Sequence, residues 1–379
     1  MSKSIKTAIS EAQAWAAAHR SEDDLRRELS ERGCFIYGAG GFGREVAAAL
    51  VAKGYSVHGF IDAFASGGEI ANAPCCKPDD IDPAAAAQAV LILAVNNFKT
   101  PVEPIVAWAR QNVFADIIYV AELPDLIDPS LGHYWQGPRR LMADCAEELQ
   151  TLADMLDDDR SLDILTALAR YRITGRVEDH PPVDRERQYF PTDLPLESSA
   201  ISVVDCGAFP GDMLGSIVAA GHTLRNWYAF EPDPANFRHL SQVAAATGGF
   251  ASASLFPCGV GDTSGLVRFS DGNADASRAM DSDSGESGLA VPIVRVADVI
   301  QADRIDMVKL DVEGFEGPAI DGMVELLAQH RPRVAVAIYH QPKDLWEIAF
   351  KIKALFPETR FAIRQHGYNG YDTVLYADL

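Results

Sequence analysis

Three ionisable residues are spaced so that they can act together. Asp311 ends the apolar run Met307-Val308-Lys309-Leu310, Glu313 follows two residues later, and His340 ends a second run, Val334 to Tyr339. In an open α/β sheet, ligands lie beyond the carboxyl ends of the strands, so these side chains meet where a substrate would sit. Taking the proton from a hydroxyl is the chemistry they suit, with His340 or Asp311 as general base. His340 can equally be a hydrogen-bonded structural histidine. Lys309 points away from Leu310 and is expected to pair with Asp311 or Glu313, lowering their pKa values. Asp311, Glu313 and His340 could instead hold Mg²⁺, because carboxylates suit a hard cation. No third carboxylate at suitable spacing is evident, so no metal is assigned.

Two glycine-rich turns stand next to strands. Asp205-Cys206-Gly207-Ala208-Phe209-Pro210-Gly211 follows the apolar run Ile201-Ser202-Val203-Val204 and opens a helical segment. Glycine there lets the backbone approach a ligand that a Cβ would push away. The next strand ends in Phe230-Glu231-Pro232, and an acid at that point can accept both ribose hydroxyls of a nucleoside. The other turn, Gly38-x-Gly40-x-x-Gly43, lies between the strand Cys34–Tyr37 and a helix, with Asp62 ending the following strand. That is the context a dinucleotide fingerprint requires.

The elements that must position these groups alternate strand and helix. The first 33 residues read as helix, with Ser21 and Asp24 as a capping box and Gly33 as the closing residue. Strands follow at 34–37, 55–61, 89–95 and 117–120, then a helix-rich acidic stretch, 138–180, whose Asp157-Asp158-Asp159 reads as a solvated face. A second series has strands at 201–205, 226–230, 253–258, 306–311, 333–339, 360–365 and 372–377. Its last two form a hairpin around Gly367-Tyr368-Asn369-Gly370-Tyr371. Leu345, Ile348, Ile352 and Leu355 recur at helical spacing and are expected in the core. Asp271 to Gly288 is rich in Ser, Asp and Gly and reads as a mobile loop. Alternation of this kind implies two parallel-type sheets with helices on their faces.

Composition narrows the partners. The chain has 379 residues, with 33 basic and 54 acidic side chains and a net charge of −21. Phosphate backbones need a basic face, so nucleic acid is not expected as a partner. No apolar run is long enough for a membrane span. Six cysteines include no C-x-x-C pair, and Cys75-Cys76 are expected to be reduced loop cysteines. A cytoplasmic protein is expected.

Three stretches identify the C-terminal half. Val204-Asp205-Cys206-Gly207-Ala208 with Gly211-Asp212, then Ala229-Phe230-Glu231-Pro232, and above all Ile305 to Gly314 with its K-x-D-x-E-G signature resemble the FkbM family of class I S-adenosylmethionine-dependent methyltransferases. The resemblance covers about residues 186–379. Phe209-Pro210 departs from it, where the family usually has a smaller or polar residue. It implies that Gly207, Ala208 and Gly211 border the methionine moiety of S-adenosyl-L-methionine, with Asp205 contacting it directly or through water. Glu231 would bind the ribose. Asp262 would meet the adenine edge, or serve as an ordinary turn aspartate. Tyr189 and Phe190 would cover the cofactor or anchor the connector. His366, Tyr368 and Tyr371 would be substrate contacts or plain turn residues. Phe35 to Arg44, with Gly59-Phe60-Ile61-Asp62, resembles the N-terminal domain of sugar O-acyltransferases, which binds a nucleotide sugar in those enzymes.

The expected fold is therefore α/β, with two Rossmann-like doubly wound sheets, the second a class I methyltransferase fold closed by an antiparallel hairpin. The expected segments are N-terminal helices 1–33, a nucleotide-binding domain 34–135, a helical connector 136–195 and a methyltransferase domain 196–379. The expected activity is methyl transfer from S-adenosyl-L-methionine to a hydroxyl of a sugar, polysaccharide precursor or secondary metabolite. Catalysis is assigned to Asp311, His340, Glu313 and Lys309. A nucleotide or nucleotide sugar is expected at Gly38, Gly40, Gly43 and Asp62. The alternative is a nucleotide or nucleotide-sugar binding protein with a degenerate methyltransferase domain. A dehydrogenase is disfavoured, because residues 34–130 show no tyrosine–lysine pair, catalytic acid or metal ligand set for hydride chemistry.

Overall fold

A computed structural model of the chain describes residues 4–65, 67–248, 250–270, 279–280 and 288–379. The chain divides into two compact units. One comprises Met1–Asp154, Leu162–Val183 and Gly367–Tyr371, the other Met155–Ser161, Asp184–His366 and Asp372–Leu379.

The first unit begins with helices Ile5–His19 and Glu22–Arg32. The Ser21 hydroxyl accepts the Asp24 N–H, and Gly33 closes the second helix by donating to Leu29 O. A six-stranded sheet follows, from β1 (Cys34–Tyr37), β2 (Val57–Ile61), β3 (Glu69–Ile70), β4 (Ala73–Cys76), β5 (Val90–Leu93) and β6 (Asp116–Ile118). Its order is β3-β4-β2-β1-β5-β6, parallel except for the pairing of β3 with β4. The chain moves outward from β1 in both directions, which opens a crevice at the carboxyl end of β1. Every residue of β5 and three of the four in β1 are buried, the pattern of strands covered on both faces. The short strands β3 and β4 had no clear sequence pattern, and Cys75 and Cys76 lie on β4 rather than in a loop. Pro74 interrupts the run there and is tolerated next to the two-residue edge strand. All six cysteines are free thiols.

Arg20, just past the first helix, ties that helix to the sheet. Its guanidinium donates to Glu122, to Asp116 and to Ile117 O, all at 2.6–2.9 Å. Glu122 is fully buried, and this set of bonds is what makes a buried charge tolerable.

The second unit contains β7 (Ala200–Cys206), β8 (Thr223–Phe230) and β9 (Phe250–Phe256). A small four-stranded sheet follows, from β10 (Gly259–Val260), β11 (Gly265–Ser270), β12 (Ala279–Met280) and β13 (Gly288–Val294). Then come β14 (Met307–Leu310), β15 (Arg333–Ala337), β16 (Arg360–Gln365) and β17 (Thr373–Asp378). The main sheet has the order β16-β17-β15-β14-β7-β8-β9. It is parallel except for β17, which runs antiparallel to both β15 and β16. This is the doubly wound sheet with a terminal hairpin. Except at 279–280 and 288, the loop reading of Asp271 to Gly288 falls outside the described residues.

The core of this unit is the apolar set of its central strands: Val203, Val204, Trp227, Met307, Val308, Leu310, Val334 and Val336 have no exposure. Leu345, Ile348 and Ile352 are buried as expected, but Leu355 is 38% exposed at its helix end. Asp158 is not merely solvated. It accepts Ser161 N–H and pairs with the buried Arg364 at 3.2 Å.

Candidate active site

The site is built at the carboxyl ends of β7, β8, β14 and β15. In the parallel register of β7 and β14, Lys309 stands directly beside Asp205. Ala229 of β8 and Ala335 of β15 flank the pair in the same row. Small neighbours leave the two long polar side chains to meet each other. Lys309 Nζ lies 3.2 Å from Asp205 Oδ1 and also donates to Gly207 O. Trp227 Nε1 donates to Asp205 Oδ2. Burial pulls the Lys309 ammonium down, but Asp205 and Asp311 outweigh it and the net direction is up. The expected partners of Lys309 are therefore corrected: its ion pair is with Asp205, not with Asp311 or Glu313. Asp205 has no exposed surface, and Lys309 links it to the glycine turn.

The turn itself is pinned by backbone bonds. Gly207 and Ala208 both donate to Phe230 O, and Phe209 N–H donates to Glu231 Oε2 at 2.8 Å. Gly207 has a φ of +75°, and a Cβ on it would lie 1.9 Å from Asp311 O, so only glycine fits. Gly211, with a φ of +97°, packs close to Trp227, Leu240 and Val243. Phe209 takes a left-handed φ of +48° and is 36% exposed. Glu231 also accepts Asp233 N–H through Oε1. Burial pushes its carboxyl up, against those two backbone bonds. A carboxylate has about four lone-pair sites, so two backbone donors leave capacity for two hydroxyls. Asp262 is exposed, with Thr263 on its carboxylate.

Beyond β14 the chain turns through Glu313 and Gly314, both left-handed at φ +56° and +95°. This reversal brings Glu316, at the start of the next helix, back to the strand end. Glu316 Oε1 accepts Val312 N–H and lies 2.7 Å from His340 Nδ1. His340 Nε2 is 3.3 Å from Asp311 Oδ1 and 3.9 Å from Glu313 Oε2. Burial pulls the imidazole down, but Glu316, then Glu313 and Asp311, drive it up to about 10. Carboxylates thus face both ring nitrogens of His340. Asp311 Oδ2 accepts the Tyr189 hydroxyl at 2.7 Å, and Lys309 Nζ lies 5.6 Å from the centre of that ring. Tyr189 is buried with its hydroxyl on Asp311, and Phe190 belongs to the core cluster.

Two groups escaped sequence reasoning. Glu316 lies five residues past Asp311, beyond the end of the recognised signature. Asp372, at the hairpin, is buried. Burial first, then the charge of Asp311, raises its carboxyl to about 7, against a hydrogen bond from Tyr339. His366 is buried between Asp184 O and the Tyr376 hydroxyl.

The first unit repeats the turn chemistry at its own crevice. Ala39 N–H donates to Asp62 Oδ2 at 2.9 Å, and Phe64 N–H donates to Asp62 Oδ1 at 2.8 Å. Gly43 approaches Gly38 so closely that a Cβ would lie 1.9 Å from Gly38 O. Gly40 caps the helix Gly41–Ala52.

A doubly wound sheet with a glycine turn, a strand-end acid and ionisable groups after its fourth strand defines a class I methyltransferase fold. Residues 205–369 match the family model of the methyltransferase FkbM domain, and residues 34–100 match that of the PglD N-terminal domain. The C-terminal match is thus to an FkbM methyltransferase domain and the N-terminal match to a PglD-type domain. A crystal structure of the methyltransferase FkbM from Methylobacillus flagellatus KT has the same fold, with a TM-score of 0.77 and 21% identity over 98% of this chain and 99% of that one. A protein described as an rRNA-methylase from Clostridium thermocellum aligns loosely, at TM-score 0.30 and 12% identity over 47% of this chain and 84% of that one. No curated protein sequence matches the chain.

Proposed function

We propose that the chain transfers a methyl group from S-adenosyl-L-methionine to a hydroxyl of a sugar, polysaccharide precursor or secondary metabolite. The observation that carries this reading is the placement of Asp311, held by Tyr189 and His340, beside the turn that Glu231 pins. S-adenosyl-L-methionine, when bound, supplies an electrophilic methyl on a sulfonium. The residues present fit it: Gly207, Ala208 and Gly211 form the turn for the methionine moiety, and Glu231 has acceptor capacity for ribose hydroxyls.

The remaining steps belong to the chain. An acceptor hydroxyl held beside Asp311 would give its proton to that carboxylate as it takes the methyl group that S-adenosyl-L-methionine would supply. Positioning supplies much of the rate of such an in-line displacement. His340 steadies the Asp311 carboxylate and keeps it oriented. Lys309 and Asp205 hold the turn through Gly207 O. The N-terminal domain, with Asp62 on its glycine turn, is read as the holder of a nucleotide or nucleotide sugar.

Calorimetric titration with S-adenosylhomocysteine tests the reading first. One saturable site per chain is expected, weakened by about tenfold or more in Glu231→Ala. Absence of binding by folded protein would overturn it.

A further inference from the structure

Asp311, Glu316 and His340 each offer one potential ligand atom, and these atoms lie within 4.8 Å of one another. Glu316 and His340 are buried, while the Asp311 side chain keeps 21% exposure and leaves one side of the cluster open. Glu316 uses Oε1 for both Val312 N–H and His340 Nδ1, and its Oε2 is buried with no hydrogen-bond partner. A buried carboxylate oxygen without a donor is costly, and a bound cation would remove that cost. Glu313 adds a further carboxylate 3.9 Å from His340 Nε2. Three carboxylates around one imidazole carry more negative charge than the ring can balance.

One pair already has the spacing that coordination needs. Metal–ligand bonds of about 2.0–2.2 Å set neighbouring ligand atoms roughly 3 Å apart, and Asp311 Oδ1 and His340 Nε2 are 3.3 Å apart. The donor set is one imidazole nitrogen with carboxylate oxygens. Mg²⁺ and Ca²⁺ favour oxygen alone, and a set of mostly carboxylate oxygens with one nitrogen lies nearest Mn²⁺ among the first-row cations.

We propose that Asp311, Glu316 and His340 form a binding site for a divalent first-row transition cation, Mn²⁺ fitting best. Binding itself does not depend on the methyl donor. Its consequence, polarisation of an acceptor hydroxyl at the open side of the cluster, rests on the methyl-transfer reading above.

The test uses the full chain stripped with chelator, titrated with Mn²⁺ and followed by electron paramagnetic resonance. S-adenosylhomocysteine affinity is measured separately on the same preparation. One Mn²⁺ per chain is expected, with affinity weakened by about tenfold or more in Glu316→Gln and in Asp311→Asn. Both variants are near-isosteric, and a thermal melt confirms that each is folded. If folded wild-type chain takes up no Mn²⁺, or if both variants bind it as wild type does, the site is overturned. Loss of Mn²⁺ uptake with S-adenosylhomocysteine binding intact sinks the metal site and leaves the methyl-transfer reading standing. Mn²⁺ uptake that both variants weaken, without S-adenosylhomocysteine binding, supports the metal site and sinks the methyl-transfer reading.

Discussion

Asp205 and Lys309 stand in register on adjacent parallel strands, 3.2 Å apart and both buried. One hundred and three residues of chain separate them, yet the ammonium that Asp205 holds also donates to Gly207 O. The ion pair therefore links the sheet to the glycine turn. Removing one member of such a pair leaves the other charge buried and uncompensated. Lys309→Met is expected to lower unfolding stability by about 3–5 kcal/mol. The double variant Asp205→Asn with Lys309→Met is expected to recover part of that loss. Urea denaturation of the two singles and the double forms the cycle that measures the coupling. Single-variant losses below about 0.5 kcal/mol would show that the pair is not structural.

The buried histidine just past β16 sets an acid limit. His366 has Nδ1 2.7 Å from Asp184 O and Nε2 2.9 Å from the Tyr376 hydroxyl. Burial holds its imidazole down, from 6.5 to about 4, and the Asp184 carbonyl only partly opposes this. The folded pKa lies below the unfolded one, so the unfolded chain binds more protons between those values. Stability is therefore fully present above 6.5 and is lost as pH falls through about 4. The shift corresponds to roughly 3 kcal/mol at most. His366→Gln should flatten stability across that window, as read from denaturation midpoints at a series of pH values. An unchanged acid limb would mean that other groups set it.

Much of this architecture was legible because parallel strands buried on both faces are apolar runs. β1, β5, β14 and β15 could be placed to within a few residues on that basis. β4 could not, since Pro74 interrupts it and its neighbour β3 has only two residues. The glycine turns and strand-end acids were legible because their chemistry needs particular residue types at fixed offsets. Partnerships across the sheet were not. Nothing local to Lys309 distinguishes Asp311, two residues on, from Asp205 on another strand; the register between β7 and β14 decides it. Glu316 was hidden for a related reason. Only the left-handed pair Glu313-Gly314 folds the chain back and brings residue 316 to His340.

Close backbone approach makes a sharp comparison between two glycines. A Cβ on Gly207 would lie 1.9 Å from Asp311 O, at a φ of +75°, whereas Gly215 has open space around it in the helix Met213–Ala219. Gly207→Ala must displace either the turn or the strand end. It is expected to abolish S-adenosylhomocysteine binding and to lower the melting temperature. Gly215→Ala should instead stabilise by about 0.5–1 kcal/mol, because alanine is the better helix former. Calorimetry and thermal melts read both effects, and wild-type affinity in Gly207→Ala would show that the turn does not border the ligand.

Glu231 and Asp62 perform the same local task in the two units. Each directly follows a strand, each accepts an N–H from its glycine turn, and each accepts a second N–H from two residues ahead, all at 2.8–2.9 Å. If the turns bind different ligands, the two acids should dissociate functionally. Glu231→Ala is expected to weaken S-adenosylhomocysteine by about tenfold or more, since hydrogen bonds to a charged group contribute roughly 1.5–3 kcal/mol. A uridine diphosphate sugar should bind that variant as it binds wild type. Asp62→Ala should do the reverse, losing the nucleotide sugar and keeping S-adenosylhomocysteine. Titration of each ligand into each variant completes the comparison. Loss of both ligands in either variant would mean that the acids act on folding, and retention of the nucleotide sugar in Asp62→Ala would remove Asp62 from any site.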